Sequence, residues 1–282
     1  MRFFLPAFLL CSFSSLACDG GMFTHNFRSI PEKSLLANEM TETQFKKLTK
    51  DFEVFFGESV EREYNRELQL YSSWKSNTVN AFAEQDSRSF KITIYGGLAR
   101  HKSMNEDSVT LTLCHELGHH LGGYPKKSMN KWSSAEGQAD YFATMKCGRK
   151  IWEKQDNETA IANLSIPSAV KNQCEEAFAG KADRALCMRL NMAGRGLALM
   201  FQDLESDSLE PRFETPSSEI TRTMNYMHPY NQCRLDTYFM GSLCHVDKAI
   251  NFDDDNETIG ACNLKLGDKL GNRPKCWFVS RN

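Results

Sequence analysis

Residues 113–120 read Leu-Cys-His-Glu-Leu-Gly-His-His, and His115, Glu116 and His119 within them form the pattern H-E-x-x-H. On a helix, positions i and i+4 lie about 40° apart around the axis and ~6 Å apart along it. Both imidazoles can therefore ligate one zinc ion, and Glu116 then stands beside the open coordination position. The chemistry such a set would serve is metal-assisted hydrolysis, with the carboxylate taking a proton from water. A five-residue pattern also arises by chance on a helix surface, so a third ligand decides the reading.

Two extensions of the pattern compete. In the metzincin form it continues as H-E-x-x-H-x-x-G-x-x-H. Gly122 fits that form, but the last ligand position holds Pro125, which has no donor atom for zinc. In the gluzincin form a glutamate comes from a later helix. Here Ala135-Glu136-Gly137-Gln138-Ala139-Asp140 places Glu136 and Asp140 at i and i+4, on one helix face. Glu136 is the expected third ligand. Asp140 is expected to accept a hydrogen bond from a ligand imidazole, which fixes its tautomer and raises its basicity. A lone E-x-x-x-D is usually a solvated acidic face; beside a helical H-E-x-x-H the ligand reading is preferred. His120 lies about 100° around the helix from His119 and is not expected to ligate. His25, His101 and His245 stand in no motif and read as structural or surface residues.

These side chains need rigid elements to hold them. Asp107 or Ser108 opens a helix through Leu121, with Val109, Leu111, Leu113 and Leu117 supplying its apolar side, and Gly122, Gly123 and Pro125 ending it. Ser133 or Ser134 caps the next, through roughly Lys150. Helices are also expected over 41–56, 168–179, 182–204 and 231–243. Strands are expected near 66–74, 79–83 and 90–95; Phe90, Ile92 and Ile94 alternate with polar residues in the last of these, which reads as an exposed edge above the metal. The expected architecture is α+β: mainly helical, with a small β-sheet beside the metal-binding helix.

Ten cysteines are the unusual feature of the composition. None are spaced C-x-x-C, so zinc ribbons and iron–sulfur clusters have no motif, and an oxidising compartment is indicated. Residues 1–17 fit: Arg2, an apolar run to Cys11, then small residues to Ala17, the layout of a secretory signal peptide. Cleavage after Ala17 would leave Cys18 first, where a bacterial lipoprotein carries its lipid, so anchoring to a membrane through Cys18 is one expectation. The remaining eight are Cys114, Cys147, Cys174, Cys187, Cys233, Cys244, Cys262 and Cys276. They allow 105 connectivities. Proximity favours Cys233–Cys244 and Cys262–Cys276; without a lipid on Cys18 nine cysteines would remain, and Cys114 is then the candidate for a free thiol. The chain divides into a signal (1–17), a metal-binding domain with an N-terminal arm (18–244) and a cysteine-containing, disulfide-stapled cap (245–282). With 34 Lys+Arg against 36 Asp+Glu the net charge is -2, so no nucleic-acid partner is expected.

Beyond the metal motif, Asn80-Ala81-Phe82-Ala83, Ile92-Thr93-Ile94-Tyr95-Gly96-Gly97-Leu98, Asp107 through His119, and Glu136 with Ala139 and Asp140 resemble, in order and spacing, the HtpX-like and CAAX prenyl protease (Oma-type) family of gluzincin zinc metallopeptidases. His228-Pro229 followed by Arg234 matches the late H-P-x-x-x-x-R of that family. The resemblance implies a zincin-like fold and one Zn2+ held by His115, His119 and Glu136. It also implies catalysis by Glu116, stabilisation of the tetrahedral intermediate by His228 and support from Asp140 and Arg234. The implied partner is a protein or peptide substrate, and the implied address is the bacterial periplasm or cell envelope. The membrane spans of that family are missing from this sequence, so the likeness is to its soluble, exported members. A zinc-containing chaperone or assembly factor of the envelope is the alternative; the intact Glu116 argues against it.

Overall fold

The computed structural model describes residues 15–16, 22, 28–128, 131–205 and 209–281. Most of the expected signal segment, together with Cys18 and His25, lies outside them. The fold is α+β and mainly helical, with a small sheet and four disulfides.

The sheet has the order β1-β3-β4-β2, from β1 (Ser15–Leu16), β2 (Glu67–Ser73), β3 (Ala81–Gln85) and β4 (Ser89–Tyr95). β4 pairs in parallel with β2 and antiparallel with β3. It is therefore the centre of the sheet, and the expectation that 90–95 is an exposed edge is wrong. Alternation reports which face of a strand is buried; it says nothing about whether both flanks are bonded. The edges are β2 and, beyond the two-residue β1 that pairs on it, β3.

Helix α1 (Glu42–Tyr64) packs on the sheet. It opens with the expected cap, in which the Gln44 amide donates to the Thr41 hydroxyl and the Thr41 amide to Gln44. It runs past Phe56 because Val60 continues the buried stripe of Phe45, Phe52 and Phe56. The short α2 (Gly96–Ala99) follows β4, and buried Arg100 after it donates to the carbonyls of Ile30, Trp74 and Ser76. Those bonds tie the irregular N-terminal arm to the sheet.

Helix α3 (Glu106–Leu121) starts a residue or two earlier than expected, because Asn105 is the cap that accepts from the Ser108 amide. It is buried from Ser108 to His120. The next rod runs as α4 (Glu136–Phe142), a π-helical segment (Ala143–Gly148) and α5 (Arg149–Trp152). It lies close against α3: a Cβ on Gly118 would sit 2.9 Å from the Ala139 Cα, so glycine is what lets the two helices touch. Behind them come α6 (Asn157–Ile161), α7 (Ser168–Ala177), α8 (Lys181–Glu205) and α9 (Asn231–Leu243). The main core lies between sheet, α1, α3 and α8, around Ile92, Ile94, Leu111 and Phe201; a smaller one joins α7, α8 and α9.

Cys114 is not free. It bonds Cys147 and so staples α3 to the π-helical segment. Cys174–Cys187 joins α7 to α8. The tail pairs are Cys233–Cys276 and Cys244–Cys262, not the pairs of sequence neighbours. Cys233 and Cys244 stand at opposite ends of α9, and a helix of that length separates them by ~16 Å, beyond disulfide reach. The tail lies along the α4 rod: Arg273 donates to the Gln138 side chain at 2.6 Å, Tyr141 to the Gly271 carbonyl at 2.6 Å, and Lys146 to the carbonyls of Asp247 and Ile250. Trp277 packs so tightly on Gly137 that a Cβ there would lie 2.3 Å from the indole.

Candidate metal centre

Two helices and one turn bring the expected residues together. His115 and His119 project from successive turns of α3, and their rings meet at 4.8 Å between centroids. Glu136 is the first residue of α4. Its Oε2 lies 3.2 Å from His115 Nε2 and its Oε1 lies 3.7 Å from His119 Nε2. One ligand atom from each of His115, His119 and Glu136 falls within 4.8 Å of the others, and all three residues are buried.

The far side of each imidazole is held. His115 Nδ1 meets Asp140 Oδ1 at 2.7 Å, and His119 Nδ1 meets the Ser134 carbonyl at 3.0 Å. Both rings are thereby held by their Nδ1 side, with Nε2 facing Glu136. Asp140 is itself fixed, accepting from Arg234 Nε at 2.9 Å, Arg234 Nη2 at 2.8 Å and Tyr238 Oη at 2.6 Å. Arg234 is buried with its guanidinium 3.7 Å from the Phe201 ring centroid. Arg234 therefore acts on the centre through Asp140.

His228 reaches the centre from the turn before α9, with its Nε2 3.1 Å from Glu136 Oε2. Every expected site residue inside the described residues is thus in this one cluster. His120 is not: its ring is sandwiched between Phe90 at 4.4 Å and Trp132 at 5.0 Å, and burial pushes it down to about 3. His101 bonds Asp203 and Ser103, and His245 is exposed.

Three members were not foreseen. Lys127 donates to Glu136 Oε1 at 2.7 Å and is buried with it. It sits on the turn where the Lys127 amide bonds the Ser133 carbonyl, and no spacing rule marks a lysine there. Ser134 contributes only a backbone carbonyl, which carries no sequence signal. Tyr238 could have been found, since it lies i+4 from Arg234 on the same face of α9.

The residues fit a divalent cation. Both oxygens of Glu116 are buried and make no hydrogen bond among the described residues, which is costly unless something else engages them, and His115 Nε2 and His228 Nε2 both crowd one oxygen, Glu136 Oε2, without a well-formed hydrogen bond. Asp140 and Glu136 overcome burial to hold His115 up to about 9, so the cluster draws positive charge to this spot. For Glu116, burial dominates: opposed by His115 and reinforced by Glu136, it lifts the carboxyl to about 7. Such a group can exchange a proton near neutrality. No family model, curated protein or solved structure matches this chain.

Proposed function

We propose that this chain is an exported zinc metalloendopeptidase of the gluzincin type, acting on extended or unfolded protein segments, as the resemblance to the HtpX-like and prenyl protease family implies. The observation that carries the reading is the convergence of His115, His119 and Glu136 beside Glu116, a buried carboxylate whose oxygens bond nothing among the described residues. A purely structural metal site has no use for such a carboxylate.

Bound zinc would polarise the scissile carbonyl and acidify water. Asp140 and the Ser134 carbonyl take the Nδ1 side of His115 and His119, which leaves Nε2 of each as the atom for a cation, and Lys127 holds one Glu136 oxygen so that the other faces the imidazoles. Glu116 takes the proton from the attacking water and returns it to the leaving amine. His228 supplies a donor for the oxyanion. An extended substrate would add to β3, which packs on α3 and whose outer side opens once the signal segment carrying β1 is removed. Among the described residues no helix is long and apolar enough to cross a membrane, and four disulfides suit an oxidising compartment. We propose the bacterial periplasm or envelope as its address, with Cys18 as the position for a lipid anchor.

One feature favours the chaperone alternative: His115, Glu116, His119 and Glu136 have no exposure to solvent, so a substrate reaches them only if the surrounding structure opens. Casein hydrolysis by the oxidised protein decides between the two. The peptidase reading expects cleavage that a chelator stops and added zinc restores; undiminished cleavage in chelator, or aggregation suppressed with no cleavage, supports the alternative.

A further inference from the structure

At the other end of the α4–α5 rod, roughly 20 Å from Glu136 by helical rise, a cavity of about 390 Å³ is lined by Arg149, Phe178, Asp183, Leu186, Ser242 and Val246. Arg149 is only 8% exposed. It has one acceptor, the Ser242 carbonyl at 2.6 Å from Nη2, and its guanidinium faces the Phe178 ring at 5.1 Å. No carboxylate among the described residues comes within ion-pairing distance.

The other buried arginines have more acceptors. Arg234 has both oxygens of Asp140, although its Nη1 bonds nothing among the described residues; Arg100 has three carbonyls and the Asn77 side chain; Arg273 has Gln138 and the Glu257 carbonyl. A buried guanidinium with one acceptor is expensive unless an anion completes it. Burial pushes Arg149 down to about 10, with Tyr141 and Asp183 opposing through space. Arg149 is part of the cavity wall.

The walls say which anion. Phe178, Leu186 and Val246 are apolar. Of the carboxylates lining the cavity, Glu153 is engaged by Lys248 at 2.5 Å, while Asp183 and Asp247 pair with no basic group among the described residues. They would repel a multiply charged ion more than a singly charged one. A volume of this size takes one amino-acid residue or a dipeptide end.

We propose that this cavity is a binding site for a singly charged carboxylate bearing an apolar side chain, the chemistry of a free peptide C-terminus, with the carboxylate on Arg149 and the side chain against Leu186 and Val246. The site is independent of the metal centre and of the peptidase reading.

Calorimetric titration of the full oxidised protein tests it, with N-acetyl-leucine, N-acetyl-leucinamide and inorganic phosphate as probes. The carboxylate is expected to bind saturably and the amide not to bind. Arg149→Met should weaken the carboxylate by roughly 10- to 100-fold, the value of a charged hydrogen-bonded contact. Val246→Trp, which adds bulk to the cavity wall and keeps Arg149, should abolish binding without unfolding the chain, so the test survives if Arg149→Met does not fold. No binding of N-acetyl-leucine, equal binding of acid and amide, tighter binding of phosphate, or full binding by Val246→Trp would each overturn the proposal.

Discussion

The Cys114–Cys147 disulfide closes a loop that contains His115, Glu116, His119, Glu136 and Asp140. Replacing both cysteines by alanine releases a constraint between residues 33 apart in sequence. The loop-entropy relation then gives about 3.7 kcal/mol of lost stability at 25 °C. The same change should weaken metal binding, because Cys114 precedes His115 on one helix and Cys147 anchors the rod that carries Glu136 and Asp140. A loss of roughly 10- to 100-fold in zinc affinity is expected, the size seen when the supports of a ligand are removed. The comparison that isolates the effect is the Cys174–Cys187 pair, whose partners are 13 residues apart and far from the centre. Its removal should cost about 2.9 kcal/mol by the same relation and leave zinc affinity unchanged. Urea unfolding of metal-free protein gives the stabilities, and competition with a chromophoric chelator gives the affinities. Loss of less than about 1 kcal/mol, or equal loss of zinc affinity in the two variants, would refute the reasoning that this staple holds the two ligand helices in register.

Three further outcomes follow from the same geometry. Asp140→Asn should destabilise the fold by about 3–5 kcal/mol, because Arg234 is left buried without its counter-ion. Adding Arg234→Met should recover most of that stability but not the zinc affinity, which chemical unfolding and zinc titration would separate. Lys127→Met should tighten zinc binding, since a cation bonded to a ligand carboxylate weakens the field at the metal; weaker binding by titration would show that Lys127 positions Glu136 more than it repels the ion. Burial lowers Lys146 from 10.5 to about 7, with Lys150 and Arg149 adding to the shift. Between those values the unfolded chain binds the extra proton, so the Lys146 penalty is full below pH 7 and fades as pH rises towards 10. Lys146→Met should therefore be more stable than wild type at pH 7, and its advantage should vanish by about pH 10; an advantage constant with pH in urea titrations would contradict this.

The sequence was most informative where one residue type at one spacing has few uses. H-E-x-x-H, the E-x-x-x-D pair and H-P-x-x-x-x-R announced six side chains that the fold brings around Glu136, and α9 has the expected bounds 231–243. It was least informative where the answer depends on which segments meet. The pairing of β4 on both flanks, the crossing of the tail disulfides around α9, and the reach of Lys127 to Glu136 are tertiary facts with no local pattern. Cys114 misled for a related reason: a cysteine inside a helix looks unpaired until the neighbouring rod is known.

The measurement closest to the central claim is a paired one on purified, oxidised Glu116→Gln: zinc content by elemental analysis and hydrolysis of casein. The substitution leaves His115, His119 and Glu136 in place and removes only the proton acceptor. The account predicts one zinc per chain, as in wild type, with casein cleavage abolished. Undiminished cleavage, or the absence of zinc from wild type and variant alike, would contradict it.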